Sequence, residues 1–235
     1  MSLQFIYKES SLAGAKFEVY AAEDIYTADN QKDADGNHIK YYSKGDLVTA
    51  LVTGEDGKAV AKNLPLGQYR VVEVEAPYGY VLNPNEQKVT FTYVDDKTPV
   101  IKESLTFSND RQKLDMSVTK LDVEDNTPIA GAVFGLYAGE DIKNADGKVI
   151  IEKGTLLEKA VSDENGMIAF VKDYPFAKYV AKEIEKPAGY VTNNEVVKFD
   201  TEYQGQKVKT AVYNSEYKNT PTTFEFTKTD ITSGA

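Results

Sequence analysis

Residues 69–80 read YRVVEVEAPYGY, and residues 179–190 read YVAKEIEKPAGY. In both, a tyrosine opens a run of strand-type residues, a glutamate follows four positions later, and a Pro-x-Gly-Tyr corner closes it. Proline removes a backbone donor and fixes φ, and glycine permits positive φ, so the pair ends an extended segment. Glu73 and Glu183 therefore sit on strands. Alternation puts Glu73 on the face of Tyr69 and Val71, and Glu183 on that of Tyr179 and Ala181. The opposite face carries Val72 and Val74, or Val180 and Ile184. Taken alone, the stretch favours that aliphatic face as the core, with both glutamates in water; the competing reading buries the two carboxyls.

Working outward, the flanking segments repeat as well. Residues 131–142, GAVFGLYAGEDI, answer residues 14–25, GAKFEVYAAEDI. Gly166 answers Gly57 and Tyr190 answers Tyr80, so the spacing drifts from 117 to 109 and 110 residues. Such drift marks length changes in a polar insert, where they cost least. An internal repeat of this period predicts two copies of one domain of ordinary size. Within the first copy, strands are expected at 5–8, 12–20, 47–51 and 88–93, with a closing strand at 101–109. The polar stretch 21–46 holds a turn at Asp35-Gly36 and room for a short helical turn around Glu23 and Asp24. Residues 110–113 are too few to act as a flexible tether.

Composition limits the function. Sixteen tyrosines without a tryptophan, among many Val, Thr and Phe, point to an all-β fold. A net charge of −10 repels nucleic acid and anionic membrane alike. No apolar run is long enough to span a bilayer. The absence of cysteine excludes disulfides and thiolate metal sites, so an extracellular version of this chain needs another staple. No signal-peptide pattern is present, and Met1-Ser2-Leu3 reads as an expression leader on a piece of a longer protein.

The edges of the repeats carry the chemistry. Met116, Val118 and Lys120 share one face of the strand opening the second copy, as Ile6 and Lys8 do in the first. Leu105, Phe107 and Asn109 share a face of the first closing strand; Tyr217 and Asn219 do so in the second. A lysine and an asparagine thus each end an apolar stripe in both copies. An ammonium buried without a partner loses its proton, and a buried carboxyl keeps one. The neutral amine is a nucleophile. A protonated glutamic acid bonded to the asparagine carboxamide polarises its carbonyl and shuttles protons while ammonia leaves, giving a Lys–Asn isopeptide bond. The competing reading is an ordinary buried or snorkelling lysine with hydrogen-bonding neighbours.

With these residues the chain resembles the Cna B-type, or SpaA-like, domains of Gram-positive surface proteins and pilins. Their motif Tyr-x-Leu-x-Glu-x-x-Ala-Pro-x-Gly-Tyr is matched by Tyr69, Val71, Glu73, Ala76, Pro77, Gly79 and Tyr80. The second copy matches with Tyr179, Ala181, Glu183, Pro187, Gly189 and Tyr190, and has Lys186 where the family expects alanine. The family's Leu-x-Gly-Ala-x-Phe segment is similar to residues 12–17 and 129–134.

The resemblance implies an all-β chain of two tandem transthyretin-like β-sandwich domains, residues 1–110 and 111–220. Residues 221–235, with Phe224, Phe226 and Lys228 on one face, read as the opening strand of a truncated third domain. It further implies a self-formed isopeptide bond in each domain. Lys8, Glu73 and Asn109 would serve the first and Lys120, Glu183 and Asn219 the second, with Asn214 as the alternative to Asn219. The implied role is a stalk segment of a cell-wall-anchored, extracellular surface protein or pilin. Its implied partners are neighbouring domains of that protein and a sortase acting on the full-length chain, with no cofactor. The alternative is an adhesin module that binds a host protein or glycan through the polar inserts at 27–44 and 143–153. Residues 33–37 and 144–147 superficially suggest calcium loops, but their glycines are misplaced for an EF-hand and no bidentate glutamate follows, so they read as turns. His38 is the single histidine, and without a cysteine or a Gly-x-Ser-x-Gly elbow no hydrolase site assembles.

Overall fold

The computed structural model describes residues 11–27, 31–95, 97, 101–144 and 147–229. The expected strand at 5–8, with Lys8, lies outside the described residues. Among the described residues the chain divides into two compact units. One comprises residues 11–113 with Tyr203–Ala211, the other Leu114–Glu202 with residues 212–229. No helix occurs among the described residues; residues 22 and 23 form a bend where a helical turn was expected.

In the first unit, period-two alternation produces β1 (Lys16–Ala21), β2 (Ile25–Tyr26), β3 (Lys40–Tyr42), β4 (Leu47–Val52), β5 (Gly67–Glu75) and β6 (Gln87–Phe91). They form an antiparallel sheet ordered β4-β1-β5-β6 and a small β2-β3 hairpin. The register sets Phe17 opposite Glu73, Val19 opposite Val71 and Ala21 opposite Tyr69. These residues line one face, and Leu105 and Phe107 pack against the core they build. The Phe17 and Phe107 rings lie 4.8 Å apart, close enough for a favourable aromatic pair.

One expectation is corrected here. The glutamate face, not the face of Val72 and Val74, is the core: Glu73 is 2% exposed while Val74 is 37% exposed. The reason is non-local, because β1 presents Phe17 and Val19 to that side of β5. The other side is covered by surface contacts instead, with the Arg70 guanidinium 4.1 Å above the Tyr20 ring. The closing segment 101–109 keeps its alternation, with Leu105, Phe107 and Asn109 half-buried, and is paired in no ladder among the described residues. Its counterpart in the second unit pairs with the opening strand, whose equivalent in the first is 5–8, outside the described residues.

The second unit continues with β7 (Lys113–Asp122), β8 (Val133–Ala138), β9 (Ile142–Lys143), β10 (Val149–Ile151), β11 (Leu156–Val161), β12 (Met167–Phe170), β13 (Lys178–Glu185), β14 (Val196–Asp200) and β15 (Thr210–Asn219). One sheet runs β11-β8-β13-β14 and a second β12-β7-β15, with β10-β9 as a separate pair. Strand β7 buries Leu114, Met116, Val118 and Lys120 in turn. The other sheet buries Phe134, Leu136, Tyr179 and Ala181, all fully. The two layers meet at the Phe134 and Tyr217 rings, edge to face with centroids 4.9 Å apart. This is a two-sheet sandwich, in which each inner face supplies alternate residues.

The Pro-x-Gly-Tyr corners behave alike in both units. Tyr80 bridges to Arg111 and Tyr190 to Pro221. The opening tyrosines also repeat a contact: the Tyr69 hydroxyl donates to Pro65 O at 2.6 Å, and that of Tyr179 to Pro175 O at 2.5 Å. Residues 33–37 form the expected turn, with Asp33 Oδ1 accepting from the amides of Asp35 and Asn37. Beyond Pro221, residues 222–229 form no strand, and Phe224 and Phe226 are 88% and 78% exposed.

Candidate functional site: lysine, glutamate and asparagine in the sandwich

The second unit brings Lys120 and Asn219 into its interior, with the half-buried Glu183 against Asn219. Strand β7 carries Lys120 inward because Met116 and Val118 fix the phase of its alternation. On its far side Lys120 is held by the main chain, its N–H donating to Gly166 O at 2.7 Å and its carbonyl accepting from Ile129 N at 2.9 Å. The side chain is 0% exposed, and among the described residues no group hydrogen-bonds its Nζ. The Tyr217 ring faces it, 5.4 Å from Nζ to the ring centroid. Burial pushes the Lys120 amine below its ordinary value, and the charges of Glu183 and then Asp122 pull it part of the way back. Burial, with Glu183 and Glu195 nearby, pushes the Tyr217 hydroxyl up to about 12.

Asn219, at the end of β15, is 1% exposed. Its Nδ2 donates to both oxygens of Glu183, at 2.9 Å to Oε1 and 3.0 Å to Oε2. Its Oδ1 is buried and receives no hydrogen bond among the described residues. The Asn219 carbonyl accepts from Val123 N at 3.0 Å, which ties the end of β15 to the chain just past β7. Asn214, the alternative, is exposed and accepts from the Ser117 hydroxyl at 2.7 Å. The structure therefore brings Asn219, not Asn214, to Glu183.

In the first unit Glu73 Oε2 accepts from Asn109 Nδ2 at 2.6 Å and from the Asn83 amide at 2.8 Å. Glu73 Oε1 is buried without a hydrogen bond among the described residues. Asn109 Nδ2 also donates to Val81 O at 3.0 Å. The glutamate and asparagine are 36 residues apart in both units. Lys8 lies outside the described residues.

Sequence reasoning missed the residues that brace each asparagine. Asn83 Nδ2 donates to Ser108 O at 2.8 Å, and Asn193 Nδ2 to Lys218 O at 2.9 Å. Each fastens the residue just before the site asparagine to the loop after the corner. The signal was present, since both asparagines follow their motif glutamate by the same interval. Tyr190, read only as part of a corner, also reaches Asp122 next to Lys120.

Among the described residues the second unit thus holds a buried amine without a hydrogen bond, a carboxamide with an unbonded oxygen and a carboxylate resting on the carboxamide nitrogen, which are the groups an acyl transfer uses. In such chemistry a neutral amine attacks a carboxamide carbon, and a carboxylate on the carboxamide nitrogen takes the amine's proton and passes it to the departing nitrogen.

Comparison with known proteins agrees with this fold. The family model for the SpaA prealbumin-like fold domain matches residues 6–104 and again residues 115–216. The chain belongs to that family, as two tandem all-β domains. The trypsin-resistant surface T6 protein of Streptococcus pyogenes serotype M6 is 25% identical over 142 residues, 59% of this chain and 26% of that protein. The solved structure of the Bacillus anthracis TIE protein is 26% identical with a TM-score of 0.59, covering 91% of this chain and 32% of that one. The shaft pilin SpaA from Lactobacillus rhamnosus GG, as its E269A/D295N double mutant, is 15% identical with a TM-score of 0.35, covering 91% of this chain and 89% of that one. The chain spans only about a third or less of the T6 and TIE proteins.

Proposed function

We propose that this chain is a stalk segment of a Gram-positive cell-wall-anchored surface protein or pilin, in which each domain joins its own first and last strands by a Lys–Asn isopeptide bond. The observation that carries this reading is the fully buried Lys120 amine, without a hydrogen bond among the described residues, in the same domain as the Glu183–Asn219 pair. The role as a surface protein is supported by the name of the streptococcal relative. Its neighbours would be further domains of the same protein, with domain boundaries near residues 110 and 220 and a third domain opening in 221–235. A sortase would act on the full-length chain outside the cell.

In the reaction, the neutral Lys120 amine attacks the Asn219 carboxamide carbon. Glu183 takes the amine proton and passes it to Nδ2, the C–Nδ2 bond breaks, and ammonia leaves. One amide replaces another, so no oxidant or cofactor is required. The event happens once per domain, without turnover, which separates it from enzymatic catalysis on an external substrate. Pulling force then passes through a covalent bond between the terminal strands instead of unzipping the ladder. The first domain would use Lys8, Glu73 and Asn109 in the same roles.

The pH dependence tests this chemistry. Because burial pushes the Lys120 amine down from 10.5, its reactive neutral fraction grows as pH rises, with a midpoint below pH 10.5. When chain produced unfolded is refolded at a series of pH values, the rate of ammonia loss from the second domain is expected to climb with pH through a midpoint below that value. A rate independent of pH, or one that falls as pH rises, would contradict attack by the amine.

A further inference from the structure

We infer that Tyr190 and Asp122 form a clamp that sets the register of the reacting strands, which makes the corner tyrosine of the glutamate motif a positioning residue; this rests on the cross-linking reading above. Asp122 is buried two residues past Lys120, at the end of β7. The Tyr190 hydroxyl donates to its Oδ2 at 3.0 Å. The other oxygen, Oδ1, accepts from Glu124 N at 2.7 Å, so the carboxylate is held on both sides. Burial and the Asp122 carboxylate both push the Tyr190 phenol up, which keeps it a donor.

The main chain at the same corner grips the other reacting strand. Val191 N donates to Thr220 O at 2.9 Å and Thr222 N to Gly189 O at 2.8 Å, directly after Asn219. One corner thus fastens the chain just beyond the lysine to the chain just beyond the asparagine. The main-chain half recurs in the first unit, where Val81 N donates to Asp110 O at 2.8 Å and Gln112 N to Gly79 O at 2.9 Å. Register is what the reaction needs, because a slip of one residue turns Lys120 out of the core. A displacement of the reacting atoms by about 1 Å costs about a hundredfold in rate.

The test is the rate of ammonia loss on refolding, followed by intact mass across pH for wild type, Tyr190→Phe and Asp122→Asn. Tyr190→Phe keeps the ring and removes only the hydroxyl. It is expected to slow the reaction about tenfold or more at every pH, with the pH midpoint unchanged. The charged and titratable groups around the amine are Glu183 on β13, Asp122 on its own strand and Tyr217 on β15. Asp122→Asn is therefore expected to slow the reaction and also move its midpoint to lower pH, since one of the two carboxylates favouring the ammonium is lost. Reaction of Tyr190→Phe at the wild-type rate would overturn the clamp. If Tyr190→Phe does not fold, Asp122→Asn decides on the same criterion. Absence of ammonia loss in wild type would defeat the cross-linking reading instead. The clamp is then judged by hydrogen exchange at Val191 and Thr222: protection lost in Tyr190→Phe upholds it, and unchanged protection rejects it.

Discussion

Glu183→Ala is expected to leave the second domain without its cross-link and to lower that domain's melting temperature by roughly 20 °C. The magnitude follows from the loop that the bond closes: a tie across about 100 residues stabilises by about 4–5 kcal/mol, and a domain of this size shifts by about 4–8 °C per kcal/mol. The substitution removes the only side chain that Asn219 Nδ2 donates to among the described residues. It also removes the larger of the two charges that favour the Lys120 ammonium. What remains is an unreacted amine whose folded state binds a proton less readily than the unfolded chain does. Stability then rises with pH wherever the unfolded state holds the extra proton, so the variant should gain stability as pH climbs toward 10.5, the ordinary lysine value. The double variant Glu183→Ala, Lys120→Met should lack that slope. Thermal melts of both variants across pH check the two effects together. A Glu183→Ala protein that melts like wild type would contradict the account.

Gly166→Ala is expected to be the most damaging glycine substitution near the site. Gly166 has φ of +71°, and an added Cβ would lie 2.3 Å from the Lys120 carbonyl oxygen and 3.3 Å from Ile129 N. Both neighbours are main chain, and the Gly166 carbonyl is itself the acceptor for Lys120 N. Relief therefore requires the Lys120 backbone to move. Gly131, with φ of +82° and nothing within 4 Å, isolates the conformational part of the cost. Gly131→Ala should lose about 1–2 kcal/mol, whereas Gly166→Ala should lose about 3 kcal/mol or more and form its cross-link more slowly. Denaturant unfolding of the two variants makes the comparison. Equal losses would mean that the close approach to Lys120 is relieved without cost.

The sequence made the strands and the repeated corners readable, because alternation and Pro-Gly punctuation are local signals. It misjudged which face of the motif strand is buried. Val72 and Val74 look more core-like than Tyr69 and Glu73, and only the pairing of Phe17 with Glu73 reverses that. No local pattern encodes that pairing. The position of Lys120 was legible because two aliphatic residues precede it in phase. Asn219 was harder to separate from Asn214, since both lie on one strand and only burial against Glu183 distinguishes them. The Tyr190–Asp122 contact spans 68 residues and rests on which loops the fold brings together, so nothing in the motif announced it. The clash at Gly166 is likewise a fact of packing, although its alignment with Gly57 marked the position as repeated.

Intact mass of the folded protein bears most directly on the central claim, measured for wild type and for Lys120→Ala and Glu183→Ala. Wild type is expected to fall short of its calculated mass by two ammonia molecules, one per domain. Each variant should fall short by one, and digestion of wild type should yield a branched peptide joining the segments that contain Lys120 and Asn219. Full calculated mass in mature wild-type protein would contradict the account and leave a tandem sandwich held by packing alone.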